Sequence, residues 1–148
     1  MRITTCTDDD FFTLWNFSNG TIPIINFVND NGTMGTKANR TILKLYPEET
    51  FEQFLKWINS SKKTSYKIMN FEGYPPLINV ISQNHKIKVP RHTLSIALKR
   101  ALRKQEVSYS STIAFFDDKH IEEIISSTWY NYITAQKYYP SIVENNEE

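Results

Sequence analysis

The stretch Ile22–Ile58, IPIINFVNDNGTMGTKANRTILKLYPEETFEQFLKWI, carries most of the fold information in this chain. Pro23 to Val28 is apolar and β-branched, which suits a strand. Asn29-Asp30-Asn31-Gly32 is a strong turn signal. Thr41 to Leu45 alternates apolar and polar residues, as a half-buried strand does. Pro47 suits the first position of a helix, and Glu48, Glu49 and Glu52 lie near its positive end. Phe51, Phe54, Leu55 and Ile58 fall at i, i+3, i+4 and i+7 and make one apolar face. Strand, turn, strand and helix is the expectation for this unit.

Outward from it, residues 2–6 read as a short strand, and Thr7 to Asp10 as cap chemistry for a helix over about 9–17. The spacing predicts a strand over 65–71, and Glu72-Gly73 turns the chain. A short strand follows over 77–81, and another over 86–89. Pro90 opens a helix over about 91–104, with Leu94, Ala97, Leu98 and Ala101 as its buried stripe. A strand over 107–116 and a helix over about 119–137 complete the pattern. The final VENNEE is acidic and reads as a disordered tail. The expectation is one compact domain over 1–140, with the tail at 141–148.

The chain has 148 residues, enough for one domain with a real core. Its net charge of +1 gives no global field for nucleic acid or an anionic membrane. Cys6 is the single cysteine, so no intrachain disulfide exists. Three histidines (His85, His92, His120) and this cysteine lack metal-site spacing. No apolar run is long enough for a membrane span. An intracellular, cytoplasmic protein without cofactor or metal is the simplest reading. Abundant Ile, Asn, Lys and Tyr suggest an AT-rich genome, a virus or phage among the candidates.

The order strand, turn, strand, helix, strand resembles the ubiquitin-like β-grasp. The turn Asn31-Gly32, the pair Phe54-Leu55 on the helix and the turn Phe71-Glu72-Gly73 resemble a doublecortin-type variant over residues 22–89. The resemblance implies an α+β fold. A small mixed sheet would carry a β-hairpin and a central helix, with a C-terminal helix-strand-helix extension. It also implies a binding module, by analogy of fold.

Catalytic motifs are scarce. There is no Gly-rich phosphate loop and no Gly-x-Ser-x-Gly. Asp117 and Asp118 follow a strand, but helix capping accounts for them better than a nuclease site does. The strongest charge feature is the basic face Arg91, His92, Ser95, Lys99, Arg100, Arg103 and Lys104, which could contact phosphates. A solvated helix face accounts for it more simply. Aromatics are abundant at 14%. Trp129, Tyr130, Tyr138 and Tyr139 crowd the last helix, where surplus aromatics suit an interface.

These readings lead to a non-enzymatic protein-binding module, an adaptor or inhibitor of another protein, with self-association through the last helix. The alternative is nucleic-acid binding through the helix 91–104. A small hydrolase ranks third.

Overall fold

In the computed structural model, residues 2–13, 21–107, 111–116 and 124–128 are described. A six-stranded mixed sheet lies between two helical layers. The strands are β1 (Arg2–Cys6), β2 (Ile24–Asn29), β3 (Tyr66–Met69), β4 (Leu77–Asn84), β5 (Ile87–Lys88) and β6 (Thr112–Phe116). The helices are α1 (Lys37–Leu45), α2 (Glu49–Ile58) and α3 (Arg91–Lys104). Residues 11–13 and 124–128 are also helical.

The strand order is β1-β6-β2-β4-β3, with β5 beside β4. β1, β6, β2 and β4 run parallel, and β3 and β5 are antiparallel to β4. Parallel strands buried on both faces read as continuous apolar runs. That is the character of β2, IINFVN, and of β4 from Leu77 to Ile81.

Alternation along the strands divides the core in two. Ile25, Phe27, Ile78, Val80, Ile113 and Phe115 face α3 and Ile125. Ile24, Val28, Leu77, Ile81, Ala114 and Phe116 face α1, α2 and Phe11. Fully buried side chains such as Ile42, Phe54, Leu98 and Ile113 each contribute about 1.5–3 kcal/mol.

The β-grasp expectation is corrected. β2 does not turn back into a hairpin partner; its neighbours are β4 and β6, both parallel to it. The segment expected as a strand over Thr41–Leu45 is the body of α1. Thr36 caps that helix: its Oγ1 accepts from the Asn39 N–H at 3.0 Å, while Asn39 Oδ1 accepts from the Thr36 N–H at 3.4 Å. Asn39, Ile42 and Tyr46 then fall at i, i+3 and i+7 and are all buried, a helical period that outweighs the local alternation. The C-terminal segment is likewise no extension. β6 sits inside the sheet between β1 and β2, and α3 packs on the same face as Ile125.

Other expectations agree with the structure. β1 spans the residues predicted, α3 matches over 91–104, and its stripe Leu94, Ala97, Leu98 and Ala101 is buried. α2 buries Phe54 and Ile58, with Trp57 beside them. The sequence turn at Asn31-Gly32 exists, and Gly32 takes φ 87° there, a conformation that favours glycine. No helix among the described residues is long and apolar enough to cross a membrane.

Candidate functional site

The carboxyl edge of the parallel strands is stepped. Ile24 and Ile25 of β2 pair with Ala114 and Phe115 of β6, and Cys6 of β1 pairs with Phe116. β2 continues for four residues after Ile25, to Asn29. It therefore outruns β6 and β1 by three residues, roughly 10 Å. What packs on the sheet after β2 and after β6 lies on opposite faces. β2 leads to α1 on one face, while Ile125, after β6, packs on the other. Open α/β sheets place ligand crevices at such a point, beyond the carboxyl ends.

A cavity of about 200 Å³ lies on that step. Cys6, Thr7, Asp8 and Phe116 line it from β1 and β6, and Lys37, Ala38 and Thr41 from α1. The N-terminus of α1 therefore opens on the crevice. Its first turn holds no acidic residue, and Lys37 adds a positive charge. The N–H groups of Lys37 and Ala38 have no intrahelical partner. An anion is the natural complement of such an end. By contrast, the first turn of α2 carries Glu49 and Glu52, which offset its dipole.

Buried asparagines hold α1 in place. Asn26 and Asn79 are register partners on β2 and β4, and Asn26 Nδ2 donates to Asn79 Oδ1 at 2.9 Å. Asn39 Nδ2 donates to Asn26 Oδ1 at 2.7 Å and to the Phe27 carbonyl at 3.0 Å. All three residues are buried. A satisfied buried network of this kind fixes position, because any loss leaves a costly orphan. Here it pins the first turn of α1 to the two central strands.

The loop between β2 and α1 is tied to the end of β4. Asn29 Nδ2 donates to the His85 carbonyl at 2.7 Å, and the His85 N–H donates back to Asn29 Oδ1 and to Asp30 Oδ1, both at 3.0 Å. Asn31 Oδ1 accepts from the Thr33 N–H at 3.0 Å, an Asx-type turn. On the other rim, Thr7 and Asp10 cap reciprocally, the Thr7 N–H donating to Asp10 Oδ1 at 2.6 Å. Asp8 pairs with Lys44 at 3.1 Å, an exposed pair that adds little stability. Burial, and after it the Asp10 carboxylate, pushes the Cys6 thiol up to about 12. That thiol stays protonated at neutral pH.

Solved structures share this fold. The macrodomain of Mycobacterium tuberculosis DarG superposes with a TM-score of 0.62 over 88% of this chain and 91% of its own, at 19% identity. The fold is that of a macrodomain. A structure from Bacteroides thetaiotaomicron, structural-genomics target BtR9, superposes with the same TM-score of 0.62 at 16% identity. It covers 89% of this chain and 94% of that one. No protein-family model matches the sequence, and no curated protein matches it.

The macrodomain fold corrects the functional expectations as well as the β-grasp and doublecortin resemblance. A non-enzymatic adaptor or inhibitor was inferred from a small α+β domain with no catalytic motif and surplus aromatics; the macrodomain fold overturns it, and the reading of no enzymatic activity falls with it. The viral or phage label, read from composition, is corrected too: it conflicts with the macrodomain fold.

Of the residues expected at sites, those that are described line no part of this cavity. Trp129, Tyr130, Tyr138 and Tyr139, with Asp117 and Asp118, fall outside the described residues, as does the tail 141–148. Arg91, His92 and Lys104 are exposed on α3; Lys99, Arg100 and Arg103 are half-buried. Ser95 turns inward, where its Oγ accepts from Thr128 Oγ1 at 3.0 Å. The macrodomain fold does not favour nucleic-acid binding through this set. Among the described residues no group of three or more His, Cys, Asp or Glu could hold a metal. Lys37 and Thr36 escaped notice because their signal was hidden in the misread hairpin, and Asp8 was read only as helix-cap chemistry. The legible clue was Thr36-x-x-Asn39 before an apolar residue, a cap pattern with Asn in place of Glu.

Proposed function

We propose that this chain binds an ADP-ribose-type nucleotide in the crevice above Cys6 and Phe116, with the diphosphate at the N-terminus of α1. The observation that carries the reading is the uncompensated positive end of α1, opening on the stepped carboxyl edge beside Lys37. Macrodomains bind ADP-ribose and often hydrolyse it, and the likeness of fold supports the same ligand class here. The Asp8 carboxylate on the opposite rim suits a sugar hydroxyl or an exocyclic amine. The cavity of about 200 Å³ holds one part of such a ligand, and the rest lies across the loop 30–36.

Calorimetry and thermal melts on the full chain test this. ADP-ribose is expected to bind one to one and AMP more weakly. At about 100 times its Kd, the ligand adds ~2.7 kcal/mol of stability, which raises Tm by roughly 5–10 °C. Lys37→Glu alters an exposed residue and weakens binding about tenfold with little change in the ligand-free Tm. Absence of binding at millimolar ADP-ribose overturns the reading. Release of ADP-ribose from an ADP-ribosylated substrate, measured on the same preparation, distinguishes a hydrolase from a reader.

A further inference from the structure

A second concavity lies on the opposite flank of the molecule. It measures about 520 Å³, and Lys56, Lys62, Lys63 and Lys67 line it around Trp57 and Thr64. The lysines come from three elements: the last turn of α2, the loop after it and the edge strand β3. Among the described residues no carboxylate lines the cavity. β3 lies three strand positions from β6, roughly 14 Å across the sheet from the crevice.

The loop that brings the lysines together is fastened rather than loose. The Trp57 indole N–H donates to the Thr64 carbonyl at 3.0 Å, and the Ser60 N–H to the Trp57 carbonyl at 3.1 Å. Lys63 is turned partly aside by Asp30, at 3.1 Å. Lys56, Lys62 and Lys67 are exposed. Three like charges around one concavity repel one another in the empty state, and a compact anion relieves that repulsion. Trp57 is buried, so its ring offers no face for a base to stack on. Recognition there rests on charge and size.

We propose that this lysine-lined cavity is a second ligand site, one that takes a compact polyphosphate group. The group is either free inorganic pyrophosphate or tripolyphosphate, or the phosphate tail of a small metabolite. The site is independent of the nucleotide crevice.

Titration calorimetry with inorganic tripolyphosphate at constant ionic strength tests the proposal on the full chain. The expected result is saturable one-to-one binding that is unaffected by saturating ADP-ribose. Lys62→Ala/Lys67→Ala weakens it roughly tenfold or more. Lys86→Ala/Lys104→Ala removes the same charge from exposed positions outside the cavity and leaves binding unchanged. A nucleoside triphosphate that binds no better than tripolyphosphate assigns recognition to the phosphates alone; a tighter one assigns it to a metabolite's tail. Non-saturable binding, equal losses in the two double variants, or competition by ADP-ribose each overturn the proposal. Exposed lysines are chosen so that both variants fold, and matching melts of the free proteins verify it.

Discussion

Asn39 ties the first turn of α1 to β2 through a single side chain. Its amide donates to Asn26 Oδ1 and to the Phe27 carbonyl, and its carbonyl closes the cap at Thr36. Asn39→Ala leaves those acceptors buried and unpartnered, so a loss of about 2–4 kcal/mol is expected. Urea unfolding measures it; a loss below about 0.5 kcal/mol would mean that the chain of asparagines does not anchor α1. Cys6 poses a different problem at the same scale. Its thiol is raised from 9.0 to about 12, by burial first and then by Asp10. Burial, and after it Cys6, raises the Tyr46 hydroxyl well above its usual range. Below pH 9 both groups are neutral in either state, and their contribution to stability is complete. Above that, the unfolded thiol ionises while the folded one does not. Stability therefore falls as pH rises from about 9 toward 12. Chemical denaturation between pH 8 and 10.5 is expected to show this decline starting near pH 9. In Cys6→Ala it starts later, near pH 10, where the Tyr46 share begins. An identical profile in both proteins would remove Cys6 from the account.

At the scale of elements, α1 marks the boundary between what was legible and what was not. α2 and α3 announce themselves by apolar residues at helical spacing, and both lie where the sequence places them. α1 is short, and its buried face includes an asparagine, so hydropathy alone under-reads it. Asn31-Gly32 pulled the reading toward a hairpin, although a glycine at positive φ serves a strand-to-helix turn equally well. The same misreading hid the crevice, because a hairpin has no helix end to offer an anion. Thr36→Ala tests the element directly. It removes the side-chain acceptor of the Asn39 N–H and is expected to cost about 1 kcal/mol of stability. ADP-ribose affinity is expected to drop as well, because fraying of the first turn disorders the two N–H groups at the crevice. Paired melts and calorimetry separate the two effects. Intact affinity at reduced stability would place the ligand away from this helix end.

For the whole molecule, the question is which residues close the sheet. The β-grasp resemblance treats residues 22–89 as a unit complete in itself, with the remainder appended. The observed order β1-β6-β2-β4-β3 contradicts that arrangement. β6, from the far end of the chain, occupies the position beside β2 and also carries β1. Such long-range pairing leaves little trace in local pattern, since periodicity records an element and not its neighbour. A fragment of residues 22–107 would keep α1, α2, α3 and the pairing of β2 with β4. It would lack Ile113, Phe115 and Ile125 from one core and Cys6, Phe11, Ala114 and Phe116 from the other. The backbone of β2 would also be left unpaired along the edge that faces β6, an open template for aggregation. The five large side chains among those lost (Ile113, Phe115, Ile125, Phe11 and Phe116), at about 1.5–3 kcal/mol each, together rival the whole stability of a typical domain, about 5–15 kcal/mol. The fragment is therefore expected to lack a cooperative urea transition and a dispersed proton–nitrogen spectrum, while the full chain shows both. A cooperatively folded 22–107 would reinstate the self-sufficient unit and refute the central role of β6.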